Sequence, residues 1–141
     1  MAKPTFSPIS LKAPDGHVIV TLSYDTEHDL IYADWQNHLT ANEVIMAGEK
    51  YLELIEKFPC SRLLSDKSKV TGDWSDANDW LEYSWIPDAI NAGLTCFAYI
   101  LSEDIYNRLS GLDLYKRLSG ELKFDLFSNP KNAIEWLASC K

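Results

Sequence analysis

The order of hydrophobic and polar residues along the chain predicts strands and helices that alternate. Hydrophobic side chains at every second position indicate a strand, and a spacing of three or four residues indicates a helix. Strand patterns occupy residues 17–24, 30–35, 61–64, 94–101 and 122–126, and helical patterns occupy residues 40–58, 75–93, 102–116 and 129–137. The predicted order of elements is therefore β-β-α-β-α-β-α-β-α.

This order of elements is typical of an α/β protein. A short polar turn separates the first two strands, which predicts an antiparallel hairpin. Each later strand follows a helix, and right-handed β-α crossovers build a parallel sheet. Residues 94–101 (LTCFAYIL) are almost entirely apolar, as expected of a central parallel strand, whereas residues 122–126 alternate like an edge strand. We expect an α/β fold with a five-stranded, mostly parallel sheet, an N-terminal antiparallel hairpin and four main helices.

Local signals predict how the helices begin and pack. Thr40 and Glu43 have the spacing of a capping box, in which each side chain accepts a hydrogen bond from the other residue's backbone amide. Ser102 is the expected N-cap of the third helix, and Pro87 is expected to break or kink the second. Gly48 falls on the apolar face of the first helix, where we expect helix and sheet to approach closely.

The length of 141 residues is that of one domain. Residues 1–16 contain three prolines and end in Asp-Gly, which predicts an irregular lead-in. Residues 17–141 are expected to form a single domain. The N-terminal residues lack the apolar segment of a signal peptide, and no run approaches the ~20 apolar residues of a membrane span, so we expect no membrane insertion.

Charge and cysteine content narrow the choice of partners and compartment. The net charge is −8, whereas nucleic acids and anionic membranes attract basic surfaces. We therefore expect no nucleic-acid partner. Cys60, Cys96 and Cys140 are far apart and include no CxxC pair, which favours reduced thiols in a cytoplasm.

No residue pattern identifies a catalytic or metal site. His17, His28 and His38 are never three or four residues apart, and the acidic loop lacks the ligand spacing of an EF-hand. There is no Gly-x-Ser-x-Gly elbow, no histidine follows residue 38, and the glycines do not cluster into a phosphate-binding loop. We expect no metal, no cofactor and no enzymatic activity. An unrecognised pair of carboxylates stays open as an alternative.

Two stretches of sequence, together with the order of elements, resemble a known family. Residues 63–76 (LLSDKSKVTGDWSD) look like a strand, a loop and the start of a functional helix, and residues 124–137 (FDLFSNPKNAIEWL) look like a closing strand and helix. The pattern over about residues 17–139 resembles the STAS domain, the SpoIIAA-like fold of anti-sigma-factor antagonists. It is most similar to an uncharacterised bacterial STAS/SEC14-like branch.

The resemblance implies a role for the loop after the third strand. In the antagonists this loop carries a serine that a partner kinase phosphorylates. Here Asp73 and Ser75 stand at matching positions, and Trp74 occupies the place of the first serine. Phosphorylation of Ser75 is one hypothesis, and the other is that Ser75 or Asp76 is a plain helix N-cap. We expect a partner or ligand to contact Asp66, Ser68, Asp73, Trp74, Ser75 and Asp76.

The aromatic residues suggest a second contact surface. Phe97 and Tyr99 share one face of their strand, and Tyr32 and Asp34 share a face of theirs. If the helices cover mainly one side of the sheet, these four residues form a half-apolar face that binds a second copy or another protein. The alternative is that this face is core beneath the N-terminal segment. Asp34 is also the one acid within an apolar element, either facing solvent or acting as a perturbed, working group.

Together these patterns favour a non-enzymatic regulatory or scaffold module that acts in a cytoplasm through contacts with a protein partner or as a homodimer. The alternative is a domain that binds a small apolar ligand in a pocket between residues 74–85 and 102–116, where Gly111 would permit movement. An enzyme that uses an unrecognised acid pair is the third hypothesis.

Overall fold

A six-stranded sheet forms the centre of the computed structural model, which describes residues 5–140. Its strands lie side by side in the order of the sequence. The antiparallel strands are β1, β2 and β3, and β3 to β6 pair parallel. This confirms the α/β class and the mixed sheet. The strands are β1 (Ile9–Lys12), β2 (Val18–Asp25), β3 (Leu30–Trp35), β4 (Arg62–Asp66), β5 (Cys96–Ile100) and β6 (Lys123–Phe127).

Four helical segments within the described residues follow the third to sixth strands. They are α1 (Ala41–Lys57), α2 (residues 75–92), α3 (Ile105–Leu118) and α4 (Pro130–Ser139). α1, α2 and α3 pack on one face of the sheet, and α4 packs on the other. Between residues 5 and 140, no helix is both long enough and apolar enough to cross a bilayer.

The predicted irregular lead-in contains a strand. Ile9 and Leu11 of β1 lie opposite Leu22 and Val20 of β2, so the sheet has six strands rather than the five expected. The prolines that suggested irregular structure lie outside the ladder, at residues 8 and 14, where a missing backbone N–H removes no hydrogen bond. Residues 1–4 of the predicted lead-in, and residue 141 of the predicted domain, lie outside the described residues.

The helix α2 changes type along its length. It begins with a 3₁₀ turn at Ser75–Ala77 and an α-helical turn at Asn78–Trp80, widens into a π-helical turn at Leu81–Trp85, and returns to α-helix at Ile86–Ala92. Pro87 has no backbone N–H to donate, and in a regular α-helix its ring would clash with the carbonyl of residue 83. The wide turn lies directly before this proline, so the predicted disturbance occurs as a change of helix type.

The predicted N-cap of α1 is confirmed, and the predicted N-cap of α3 was wrong. The backbone N–H of Thr40 donates to Glu43 Oε1 at 3.0 Å, and the N–H of Glu43 donates to Thr40 Oγ1 at 3.3 Å, which completes the capping box. The N-cap of α3 is Asp104, not Ser102, because Asp104 Oδ2 accepts from the N–H of Asn107 at 3.1 Å. Ser102 instead donates its hydroxyl to the Val70 carbonyl at 2.6 Å, which ties two loops together.

The two faces of the sheet carry separate cores. Phe97 and Tyr99 of β5 face α1, α2 and α3, whereas Cys96, Ala98 and Ile100 face α4. This division follows from the two-residue period of a strand. A strand buried on both faces reads as a continuous apolar run, which explains the composition of β5.

A disulfide joins Cys96 and Cys140, so the prediction of reduced thiols was wrong for these two residues. Cys96 begins β5 on the face that α4 covers, and Cys140 directly follows α4. The packing of α4 therefore joins two residues that are 44 apart in sequence. Cys60 is buried and takes no part in this disulfide. Because disulfides are rare in cytosolic proteins, the argument from cysteines to a cytoplasmic location loses its main support.

Candidate functional site

Lys67 is a buried lysine directly after β4. Only 3% of its surface is exposed. Its side-chain nitrogen lies 3.8 Å from the ring centroid of Trp74, 4.4 Å from that of Trp35 and 4.9 Å from that of Tyr99. Three aromatic rings therefore surround a head group that is normally in water. We call these four residues the lysine cage.

Strand pairing places two walls of the lysine cage. Trp35 ends β3 and Tyr99 lies in β5, and these strands flank β4 on its two sides. The backbone N–H of Lys67 donates to the carbonyl of Ile100 at 3.1 Å, so the chain continues along β5 for one residue beyond β4. Lys67 stands two residues after Ser65, and the period of a strand directs both side chains to the face that α1, α2 and α3 cover.

The loop that carries the third wall, Trp74, is fastened to α3. The backbone N–H of Trp74 donates to Ser110 Oγ at 3.2 Å, and that of Gly72 donates to Asp104 Oδ2 at 3.1 Å. Gly72 has φ of +100°, and a Cβ at this position would lie 2.5 Å from the carbonyl oxygen of Leu39. Only glycine fits this turn without strain, so the loop geometry that brings Trp74 over Lys67 depends on it.

A cavity of about 50 Å³ adjoins the lysine cage, between the sheet, α1 and the π-helical turn of α2. Most of its walls are apolar, and the side chains with polar groups are Tyr51, Ser65 and Lys67. A single water needs about 10–15 Å³ of such volume, so the cavity has room for about four water-sized groups. Leu81 and Trp85, which begin and end the π-helical turn, also line it. Turns of this kind are frequent at functional sites.

Three polar groups around the cavity have no hydrogen-bond partner within residues 5–140. They are the hydroxyl of Tyr51, the hydroxyl of Tyr99 and the indole N–H of Trp74. Tyr51 is one of the residues around the cavity, and Tyr99 and Trp74 belong to the lysine cage. The indole of Trp35 is paired, since it donates to Ser65 Oγ at 2.9 Å. An unpaired buried polar group costs about 1–3 kcal/mol. The region is therefore less stable than a wholly apolar core of the same shape.

Burial sets the protonation of these groups. It lowers the pKa of the Lys67 amine well below its usual value, and within the described chain no carboxylate forms an ion pair with that amine. The three rings favour the ammonium form by about 0.5–2 kcal/mol each, which offsets the penalty for burying an unpaired ion only in part. Burial also raises the pKa of Tyr51 and of Tyr99. The cavity thus adjoins an amine that burial holds towards its neutral form.

Replacing Lys67 by methionine is expected to remove a pH dependence of stability. Below its ordinary pKa of about 10.4 the unfolded lysine is protonated, whereas the folded amine is held neutral at pH values above its lowered pKa. The unfolded state then binds more protons, so the stability of the wild type rises with pH in that window, by up to about 1.4 kcal/mol per unit. The measurement is urea unfolding of both proteins at pH 7, 8 and 9.

The control for this experiment is Lys69→Met. Lys69 is an exposed lysine two residues away, with an ion pair to Asp34 at 3.7 Å. The difference in unfolding free energy between Lys69→Met and the wild type should stay constant within a few tenths of a kcal/mol over the same pH range. A constant difference for Lys67→Met as well would show that the buried amine keeps its ordinary pKa.

The predicted contact residues divide into buried and exposed groups. Asp66 is 4% exposed and Trp74 is fully buried, so neither side chain offers surface to a protein partner, and contact of the six residues with a partner or ligand stays a prediction. The carboxylate of Asp66 accepts hydrogen bonds from the Tyr32 hydroxyl at 2.8 Å and from the Ser68 hydroxyl at 2.6 Å, which keeps it inside the fold. The exposed members of the set are Ser68, Asp73 and Asp76, and Ser75 is half-buried.

Asp73 organises the start of α2. Its Oδ1 atom accepts from the backbone N–H of Ser75 at 2.9 Å and from the Ser75 hydroxyl at 2.7 Å. These hydrogen bonds, the hydroxyl first, lower the pKa of the Asp73 carboxyl. The expectation that Ser75 or Asp76 supplies the cap is corrected, because no side chain caps the 3₁₀ turn and Asp73 holds the first N–H. Phosphorylation of Ser75 stays a prediction.

The four residues of the predicted dimer face lie on opposite faces of the sheet. Tyr32 and Asp34 stand in register with residues 64 and 66 on the α4 side. Phe97 and Tyr99 are 4% and 0% exposed and pack under the helices of the other side. The four residues therefore cannot form one surface. Each pair was assigned from the alternation of its own strand, and the sequences do not show which faces of the two strands coincide.

The cavity also differs from the pocket that the sequence suggested. The predicted pocket lay between residues 74–85 and 102–116, whereas the cavity lies against the sheet and α1 and takes a single lining residue, Leu114, from α3. Gly111 was expected to permit movement. A Cβ at Gly111 would lie 2.9 Å from the Tyr99 hydroxyl oxygen, so this glycine allows close packing of α3 on the cage. Gly48 likewise packs against Trp80 and Trp85 of α2, not against the sheet.

The sequence analysis missed Lys67, although a signal for it was present. The predicted strand ended at residue 64, which placed Lys67 in a solvent-exposed loop. The alternation of Leu63, Ser65 and Lys67 continues the strand and directs the lysine inward. Burial of an unpaired amine is rare, so a lysine at the third of these positions does not look like a core residue.

Metal binding finds no set of ligands in the part of the chain that the structure describes. Within residues 5–140 no group of three or more His, Cys, Asp or Glu side chains is placed to hold a metal ion. The histidines bond to neighbouring side chains instead, as His28 does to Asp25 at 2.7 Å.

In comparisons with known proteins, no family model, no curated protein and no solved structure matches this chain.

Proposed function

We propose that this protein is a small-molecule binding domain whose ligand occupies the cavity beside Lys67. The observation that carries the proposal is the buried amine of Lys67, which has no ion-pair partner among the described residues and belongs to a residue that lines a largely apolar cavity. Ligand sites are typically apolar concavities with a few polar groups that orient the ligand. Buried polar groups without partners call for an explanation, and a bound ligand or water supplies one.

The cavity restricts the class of ligand. A volume of about 50 Å³ accommodates about four non-hydrogen atoms. The apolar lining favours a neutral molecule, and the amine of Lys67 can form a hydrogen bond with one polar atom of it. We therefore infer a small, mostly apolar ligand with one oxygen atom.

Our second candidate function is the regulatory contact module that the sequence favoured. It is supported by an exposed apolar group on the first turns of α3, where Ile105, Tyr106 and Leu109 are more than half exposed. The hydrogen bond from Gly72 to Asp104 places this group beside the loop that precedes α2. The STAS-like identity is likewise a proposal, supported by the order of elements from β2 to α4. A protein partner in a cytoplasm, and the absence of enzymatic activity, stay predictions of the sequence.

A nuclear magnetic resonance titration with 1-propanol tests the ligand-binding proposal. This alcohol has four non-hydrogen atoms and one oxygen. A ceiling of about 1.5 kcal/mol per atom limits its Kd to tens of µM at best, so the titration extends to millimolar concentrations. We expect saturable shifts of the methyl groups of Val44, Leu63 and Leu81, which line the cavity. Leu137, in the core on the other face of the sheet, is the internal control.

Tyr51→Phe is the matched variant for this titration. Removing a buried hydroxyl without a partner is expected to leave the free protein as stable as the wild type or more so. The same change should leave 1-propanol binding unchanged, because the hydroxyl is closed off from the cavity, whereas Lys67→Met should weaken it about fivefold, because one hydrogen bond is worth about 1 kcal/mol. Tyr83→Phe, at a 72% exposed tyrosine, should alter neither property. Shifts at Leu137 as large as those at the cavity methyls would contradict the proposal.

A further inference from the structure

We propose that Lys67 forms an imine with a small aldehyde or ketone that enters the cavity. This inference rests on the ligand-binding function proposed above and specifies the ligand as a carbonyl compound. The observations that carry it are the buried amine in the lysine cage and the adjoining cavity of about 50 Å³, which Lys67 itself lines.

The reaction needs no reagent beyond the amine and the carbonyl compound. The Lys67 nitrogen donates its electron pair to the carbonyl carbon, a C–N bond forms, and the carbonyl oxygen takes up a proton. That proton is one of the two on the nitrogen, and the second follows as the C–O bond breaks, so that the oxygen leaves as water. The products are one C=N bond and one water molecule, with no change of oxidation state.

The surroundings of Lys67 suit each stage of this reaction. A lysine is nucleophilic only as the neutral amine, and burial without a carboxylate partner lowers the pKa of Lys67 towards that form. The protonated imine is a cation, and the rings of Trp35 and Trp74 would stabilise it through the same cation–π contacts that they make with the amine.

A small carboxylate is the competing ligand, because it would form an ion pair with a protonated Lys67. The cavity favours the carbonyl compound. A buried carboxylate needs several donors to replace its water. Around the cavity the Tyr51 hydroxyl has no accessible surface and the Trp85 indole already donates to the Gly48 carbonyl at 3.1 Å. Ser65 already accepts the hydrogen bond of the Trp35 indole.

The test is reductive trapping of the folded protein with propanal and sodium cyanoborohydride at pH 7, followed by peptide mass spectrometry. Lys69 is the internal control, an exposed lysine two residues from Lys67. An ordinary lysine is almost wholly protonated at pH 7, so we expect Lys67 to acquire the propyl group at least about tenfold faster than Lys69. Benzaldehyde, with eight non-hydrogen atoms, exceeds the cavity and should modify Lys69 but not Lys67.

Parallel titrations separate failure of this inference from failure of ligand binding itself. If 1-propanol shifts the cavity methyls but Lys67 reacts no faster than Lys69, the imine is excluded and ligand binding survives. The same conclusion follows if propionate shifts those methyls and propanal leaves Lys67 unmodified. If neither alcohol nor propionate binds and Lys67 is not trapped, both proposals fall. If propanal modifies Lys67 in the wild type, and no other residue is modified in its place in a folded Lys67→Met variant, the imine is supported.

Discussion

Trp74→Ala is expected to lower the free energy of unfolding by about 3–5 kcal/mol, the range typical of a large aromatic residue removed from a core. Trp74 is fully buried, and its ring lies closest to the Lys67 nitrogen, at 3.8 Å. The indole N–H has no partner within the described residues, so its removal leaves no other polar group unpaired. The loss therefore comes from apolar contact, from the empty volume left behind and from the missing cage wall.

The size of this effect follows from the marginal stability of small domains. A protein of this size is stable by about 5–15 kcal/mol, so the substitution removes a large fraction of the total. Urea unfolding followed by circular dichroism measures it. Trp74→Phe keeps an aromatic face over Lys67 and loses only part of the volume, and it should cost less than half as much as the alanine substitution.

Trp136→Ala is the matched control at a different tryptophan. Trp136 is half-buried on α4, where it packs on Phe127 with 5.7 Å between ring centroids. It buries less surface than Trp74, so we expect a loss of about 1–2 kcal/mol. If Trp74→Ala costs no more than Trp136→Ala, then Trp74 is not a core residue and the lysine cage as described does not exist.

Reduction of the bond between Cys96 and Cys140 is the second large effect. The bond joins residues 44 apart, and in the chain-entropy account a loop of this length stabilises the folded state by about 4 kcal/mol. We expect urea unfolding in the presence of a reducing agent to show a loss of about that size. The double variant Cys96→Ser, Cys140→Ser should be about as stable as the reduced wild type, both with and without the reducing agent.

A thiol titration in denaturant decides independently whether the bond forms. With the bond present, Cys60 is the single reactive thiol of the chain's three cysteines. Three reactive thiols in freshly purified protein, together with a stability that does not depend on reducing agent, would contradict the disulfide. They would also restore the original interpretation of the cysteines as reduced core residues.

The elements that the sequence predicted well are those whose signal is local. The strand at residues 30–35 has the predicted bounds, and the capping box at Thr40 has both of its hydrogen bonds. Both depend on residues within a few positions of one another, where the period of a strand or the geometry of a first helical turn determines the contacts. The N-cap of α3 was missed because Ser102 and Asp104 are both good caps. The Ser102 hydroxyl accepts from the N–H of Asp104 at 3.0 Å and donates to the carbonyl of Val70, 32 residues earlier, and the helix begins after Asp104.

The candidate site depends on contacts that no local pattern reports. The rings around Lys67 come from residues 35, 74 and 99, which belong to two strands and a loop. The predicted dimer face was wrong for the same reason. Residues 32 and 34 lie on the side of the sheet that α4 covers, whereas residues 97 and 99 lie on the opposite side. Strand period tells which residues of one strand share a face, but only the register between strands tells which faces coincide.

The sequence by itself therefore determined the α/β class, the order of elements from β2 to α4 and the ends of several helices, because these follow from periodicity and capping over a few residues. The tertiary structure decided the sixth strand, the disulfide, the burial of Lys67 and the cavity beside it. Each of these joins residues of different strands, helices or loops, and their proximity is fixed by sheet order and helix packing, which depend on the burial of apolar surface over the whole chain.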